Sequence, residues 1–196
     1  MSTTEAVDEP KAYGGLAILL HWLIGALILV QLGMGVFMNQ AMVDHSPAQE
    51  QVQNFHITLG LTTMLLIALR IVVALTRHAP PLPAGIPRWE VSLAGASKLV
   101  FYLLMVAFVL SGWALVTLRH EHASLWGVTW PELPGLQTFA GPNSRAGRRS
   151  LQQWHNYTLM WIFLIVLVLH IAGAIKHQFD GHPVLWRMLP FLKPKA

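Results

Sequence analysis

The sequence predicts an all-α protein, an integral membrane four-helix bundle that forms a single domain over residues 1–196. Three observations carry that prediction. The chain is 54% hydrophobic and 11% charged, with a mean hydropathy of +0.50, whereas soluble domains are about a quarter charged. Four stretches are long enough to cross a hydrocarbon core, which takes about 20 apolar residues. Each is apolar around most of its circumference, as lipid requires of a helix whose backbone hydrogen bonds are already internal.

The opening residues, MSTTEAVDEPKAYGG, are acidic and polar and lack the basic start, short apolar stretch and small-residue cleavage site of a secretory signal. Residues 1–12 are read as a cytoplasmic tail. Spans follow at Leu16–Met38, Ile57–Leu75, Leu99–Leu118 and Asn156–Ile175, and only the second holds a charged residue, Arg70. A polar turn (NQAMVDHSPAQEQVQN), a proline-rich link (RHAPPLPAGIPRWE) and a long loop from Arg119 to Gln153 connect them. Lys11, Arg77, Arg88, Lys98, Lys176, Arg187, Lys193 and Lys195 fall on the side of the termini, and the first loop has no lysine or arginine. That bias places both termini in the cytoplasm. Arg119, Arg145, Arg148 and Arg149 in the third loop count against it.

Several function classes drop out. Without cysteine there are no disulfides, thiolate metal sites, iron–sulfur clusters or covalent haem attachment. The net charge of +4 is spread beside apolar runs and not gathered into a stripe, so no nucleic acid is expected as a partner. A nucleophile, base and orienting acid do not cluster, which argues against a hydrolase.

Ten histidines remain as donors. Four stand at or inside span ends: His21, His56, His155 and His170. With alternating spans, His21 and His170 share one depth and His56 and His155 the other. Fifteen residues separate His155 from His170, about 22 Å along a helix and about 60° around it, so one helix can face two stacked sites. Each cross-bundle pair can supply two axial imidazoles to a haem iron, and a histidine within a span is a functional candidate by default. Gly25, Gly60 and Gly173 share the histidine faces and leave room for a flat macrocycle. Interfacial or hydrogen-bonding roles for the histidines, and small-residue helix packing for the glycines, stay open on spacing alone.

The motifs LLHWLIGALILVQLGMGVFM, FHITLGLTTMLLIALRIVVALTRHAPPLP, FYLLMVAFVLSGW and KHQFDGHPVLWRMLP resemble the prokaryotic cytochrome b561 family of diheme membrane proteins, from Tyr13 to Pro190. The resemblance implies two non-covalent b-type haems, with iron ligands at His21, His56, His155 and His170. It also implies a location in the bacterial inner membrane and electron exchange with quinone; some members oxidise superoxide and pass the electron to ubiquinone. A superoxide:ubiquinone oxidoreductase activity is therefore one expectation, with superoxide or a periplasmic redox protein as donor. Lys98 stands where some relatives have a histidine, which leaves the third span without a candidate ligand.

Arg70 lies about 21 Å along the helix from His56, near the depth of His21 and His170, where a haem propionate would partner it; snorkelling to headgroups is the other reading. Arg145, Arg148 and Arg149 precede His155 and could face propionates or attract a small anion, or be solvated loop charge. His120, Glu121 and His122 have metal-donor types, but one short loop run is weak evidence. The tryptophans near span ends read as interfacial anchors. The expected function is electron transfer by a bis-histidine cytochrome. The rivals are a haem-binding anchor subunit of a larger dehydrogenase or hydrogenase, and a haem-free proton-coupled transporter.

Overall fold

The computed structural model describes residues 12–77, 79–81, 83, 85–136 and 145–192. Four helices long and apolar enough to cross a membrane dominate it: α1 (Gly15–Gln40), α2 (Pro47–Thr76), α3 (Arg88–Arg119) and α4 (Arg145–Phe179). They run up and down, so both ends of the described chain meet at one face of the bundle, here the terminal face. The α1–α2 turn and a small hairpin occupy the opposite, hairpin face.

The helices exceed the apolar spans because their ends are set by caps. Ser46 Oγ accepts from the Gln49 amide at 3.2 Å and Pro47 stands at the first helical position, a strong start signal. The polar residues PAQEQVQN are thereby helical and not part of a turn. Pro87 immediately precedes α3, which starts at Arg88, eleven residues before Leu99. At its other end His120 turns left-handed, with φ 54°, and its amide bonds back to Thr117 and Val116, a C-terminal stop.

The stretch expected as a loop from Arg119 to Gln153 is a correction. It contains strands β1 (Ser124–Leu125) and β2 (Val128–Thr129), paired antiparallel, and the first turns of α4. Trp126 and Gly127 between the strands both have positive φ, 52° and 92°, as a two-residue turn of type I′ requires. The Trp126 indole donates to Thr62 Oγ1 at 3.1 Å, and Thr58 Oγ1 donates to the Ser124 carbonyl at 2.9 Å, so the hairpin is fastened to α2. Arg145, Arg148 and Arg149 are helical. Trp154–Thr158 form a π-helical turn within α4, a feature common at functional sites.

Ala17, Leu20, Ile24 and Ile28 recur every three or four residues on α1 and face Ile67 and Val73 of α2, Leu104 of α3, and Leu159 and Phe163 of α4. The other faces expose Leu19, Val30, Val72, Leu103, Val168 and Leu169, the pattern of helices solvated by lipid.

At the terminal face the tail folds back under the bundle. Arg187, 2% exposed, donates to the carbonyls of Pro80 and Pro81 at 2.5 and 2.9 Å and lies over the Tyr13 ring at 5.3 Å. Its own carbonyl accepts from the Tyr13 amide at 3.2 Å, and the Trp22 indole donates to Met188 O at 2.8 Å. Buried Glu90 on α3 receives Lys176 at 2.9 Å and faces His177 at 3.4 Å. Lys176 also bonds Asp180 at 2.7 Å and holds that carboxyl below the usual carboxylate range.

Replacing Arg187 with methionine keeps the apolar stem but strands two proline carbonyls. Thermal unfolding in detergent should show a loss of about 2 kcal/mol, the cost of leaving buried acceptors unsatisfied. A variant as stable as the parent would show that the clasp carries no stability.

Candidate cofactor sites between paired histidines

α4 faces α1 near the terminal face and α2 near the hairpin face, and at each place two histidine rings meet. His21 and His170 have ring centroids 6.4 Å apart at an interplanar angle of 56°. His56 and His155 stand 6.3 Å apart at 84°. These are the two pairs expected from the alternating spans. Two imidazoles that share one metal through bonds of about 2 Å place their centroids roughly 6 Å apart, so either pair can span an iron. Edge-to-face packing gives similar distances. The separating observation is that the arrangement recurs at both ends of α4 while α4 packs closely, among the long helices, only along α3.

A cavity of about 770 Å³, within the range for small-molecule sites, opens beside the second pair and is lined by His56, His155, Gly60, Gly112, Phe108 and Met64. Arg119 and Arg148 border it as well. The π turn that contains His155 takes rotation out of α4, so His155 and His170 are not related by the about 60° of an uninterrupted α-helix. Between the pairs lies a layer of aromatic rings. Phe163 packs edge-on to Phe101 and Phe108 at 5.6 and 5.9 Å, and these reach His170 at 5.2 Å and His155 at 5.8 Å.

Around the first pair, a methyl group on Gly25 or Gly173 would meet nothing within 4 Å, and His170 is open at the side. Arg70 is half-buried and within electrostatic reach of His21, and among the described residues no carboxylate pairs with it. Gly60 behaves differently. Its added methyl would sit 3.2 Å from Gln31 Nε2, so this glycine admits a neighbouring side chain.

The sequence profile described as prokaryotic cytochrome b561 matches residues 12–191. The chain belongs to the prokaryotic cytochrome b561 family. It is similar to "Cytochrome b561 homolog 2" of Escherichia coli strain K12, 27% identical over 185 residues that cover 93% of each chain. It is also similar to "Probable superoxide oxidase CybB" of Yersinia pestis, 23% identical over 181 residues, 92% of this chain and 97% of that one. Cytochromes b561 are membrane electron-transfer proteins and the family implies b-type haem. The imidazole spacing, the cavity, and His56 Nδ1 and Gln31 Oε1, both buried and without a hydrogen-bond partner among the described residues, fit such a group.

Several residues near the rings carry no mark in the sequence as ligands. Ser111 Oγ lies 2.8 Å from His155 Nδ1 and 3.0 Å from the Phe108 carbonyl. A methyl on Gly112 would come 3.2 Å from His155 Cε1. The Gln31 amide donates to the His56 carbonyl at 2.9 Å. A lone glutamine in an apolar span was the available signal for Gln31.

The loop arginines divide. Arg148 turns toward the cavity and donates to the Leu118 carbonyl at 3.4 Å, Arg119 lies 3.6 Å from Glu121, and Arg145 and Arg149 are exposed. His120 and His122 are exposed too; His120 stands 4.0 Å from Glu132, and among the described residues no group of three metal donors forms.

Replacing Gly60 with valine forces branched carbons against Gln31 and parts α1 from α2. The expected loss is about 1–3 kcal/mol, read as a lower midpoint of thermal unfolding in detergent. Gly25→Ala, with nothing within 4 Å of the added methyl, should not lower the midpoint of the haem-free protein, and equal losses at both positions would contradict the distinction.

Proposed function

We propose that this chain holds two b-type haems by bis-histidine ligation, His21 with His170 and His56 with His155, and exchanges electrons with membrane quinone. The observation that carries the reading is the pair of imidazole couples, 6.4 and 6.3 Å by ring centroid, stacked along one helix. Bound haem supplies a one-electron couple. Two histidines holding each haem would leave its iron no open place for oxygen, which suits electron transfer and not oxygen activation.

The protein's own groups then divide the work. α4 offers one ring to each site, so the two sites share a rigid support. Phe101, Phe163 and Phe108 keep water out of the layer between them. Arg70 is proposed as the cation for a propionate at the His21–His170 site, where its charge is otherwise costly in the membrane.

The charge bias of the links supports a terminal face in the cytoplasm, with the hairpin face on the outside of a bacterial inner membrane. The name of the Yersinia pestis relative brings superoxide to this chain as a proposed donor. Arg119 and Arg148, at the cavity beside His56 and His155, would attract such an anion to the outer face.

Pyridine haemochrome analysis should find two haems per purified chain, with low-spin b-type bands in the reduced-minus-oxidised spectrum. His21→Ala and His170→Ala should each remove the same haem, and His56→Ala and His155→Ala the other. Colourless protein from haem-supplied cells would overturn the reading in favour of a transporter. A stable partner subunit in mild detergent would assign the chain the role of an anchor.

Arg70→Gln should weaken haem retention at the His21–His170 site about tenfold, the worth of one charge-assisted hydrogen bond. Unchanged retention would mean that Arg70 serves the headgroups alone.

A further inference from the structure

α3 contributes no histidine to either pair, yet its Ser111 hydroxyl lies 2.8 Å from His155 Nδ1. We propose that the Ser111–Gly112 step of α3 is the positioning device for His155, fixing the tautomer and pose of its ring so that Nε2 alone is presented to the cavity as a bare lone pair. The proposal deepens the bis-histidine reading and rests on it.

The number of protons available decides the tautomer. Ser111 Oγ has two short contacts, His155 Nδ1 at 2.8 Å and the Phe108 carbonyl at 3.0 Å. A serine hydroxyl owns one proton and a carbonyl owns none. If that proton went to Nδ1, the hydroxyl and carbonyl oxygens would face each other at 3.0 Å with nothing between them. If Nδ1 carries its own proton, the chain closes: Nδ1–H donates to Oγ, and Oγ–H donates to Phe108 O. Both contacts then hold a proton, and a neutral imidazole protonated at Nδ1 has no proton at Nε2. Hydrogen bonding at one ring nitrogen is how proteins select the nitrogen offered to a metal.

Gly112 completes the seat. A β-carbon there would lie 3.2 Å from Cε1, 3.8 Å from Nε2 and 3.9 Å from Nδ1 of His155, so the ring rests against the backbone of α3 where only hydrogen fits without displacement. Phe108, edge-on at 5.8 Å, closes another side. His56 is held otherwise: Gln31 fixes its backbone carbonyl, while its Nδ1 is buried without a partner. The two rings of this pair are therefore unequal, and His155 is the stronger electron donor, because a hydrogen bond given from Nδ1 raises the basicity of Nε2. The SGW motif acquires a physical account residue by residue: Ser111 holds Nδ1, Gly112 makes room for the ring, and the Trp113 indole donates to Pro131 O at 2.9 Å, tying α3 to the segment after the hairpin.

The test uses the full chain with Ser111→Ala, Ser111→Thr and Gly112→Ala, purified in detergent with haem and titrated while both couples are followed optically and by electron paramagnetic resonance. Ser111→Ala should retain both haems and raise the potential of the His56–His155 couple alone, by up to tenfold in its one-electron equilibrium, which is about 59 mV. The low-spin signal of that site should move with it. Threonine, which keeps the hydroxyl and bonds the same carbonyl from a helix, should restore both values, and Gly112→Ala should disturb the same couple. Unchanged couples in Ser111→Ala, or equal shifts in both, would overturn the proposal. A wild-type chain that takes up no haem would refute the bis-histidine reading instead. In that protein the ¹⁵N shifts of His155 read the relay directly: a protonated Nδ1 and bare Nε2 support it, and the opposite tautomer or a mixture overturns it.

Discussion

The spacing between imidazole rings across α4 governs the way this bundle is put together. Helices in lipid gain little from burying apolar surface, since the chains around them are as apolar as leucine, so they close on each other wherever shape permits. α4 closes on α3 and not on α1 or α2. Large side chains hold it off. Phe163 shares the buried core at middle depth with Leu20, Ile24 and Ile28 of α1, and the histidines face each other above and below it. Had small residues lined that side of α4, the four helices would have collapsed and neither ring pair would stand at its distance.

The polar chemistry that holds the ends is kept away from this middle zone. At the terminal face Arg187 ties the tail to the proline link, and Glu90 ties α3 to α4 through Lys176. At the hairpin face Trp126 and Thr58 fasten the hairpin to α2. A chain whose spans slide easily in a fluid solvent is thus pinned at both ends, and its interior needs only to be dry and correctly spaced. The unequal support of His155 and His56 belongs to the same economy of polar contacts: few are made inside the membrane, and those few are directed.

Much of the fold was legible because the bilayer imposes a length. Runs such as Leu16–Met38 have to be helices, and alternation of spans puts His21 beside His170 and His56 beside His155 in depth. Hydropathy marks where a helix crosses lipid and not where it begins, so the starts at Pro47, Arg88 and Arg145 were read too late, although Ser46–Pro47 and Pro87 carry start signals. The polar first turns of α4, RAGRRSLQQ, have no apolar run to announce them and passed as loop. At the sites, the histidines stand out because ionisable groups are rare inside spans. Ser111, Gly112 and Gln31 do not, because a lone hydroxyl, hydrogen or amide in an apolar run takes its meaning from what lies across the helix interface. The π turn at Trp154–Thr158 has no signature that the residues alone disclose.

Both His155 and His170 reside on α4, which follows α1, α2 and α3 in the sequence, and this has a consequence for the order in which the molecule comes into being. α1 and α2 are synthesised and can enter the bilayer with His21 and His56 already in place, but neither pair exists until α4 has followed them. The tail that clasps Tyr13 and Trp22 is made later still. A chain that stalls or is cut in the segment before α4 therefore holds half of each pair and all of neither, and a cell that degrades such fragments never has to deal with a protein carrying one finished site and one unfinished.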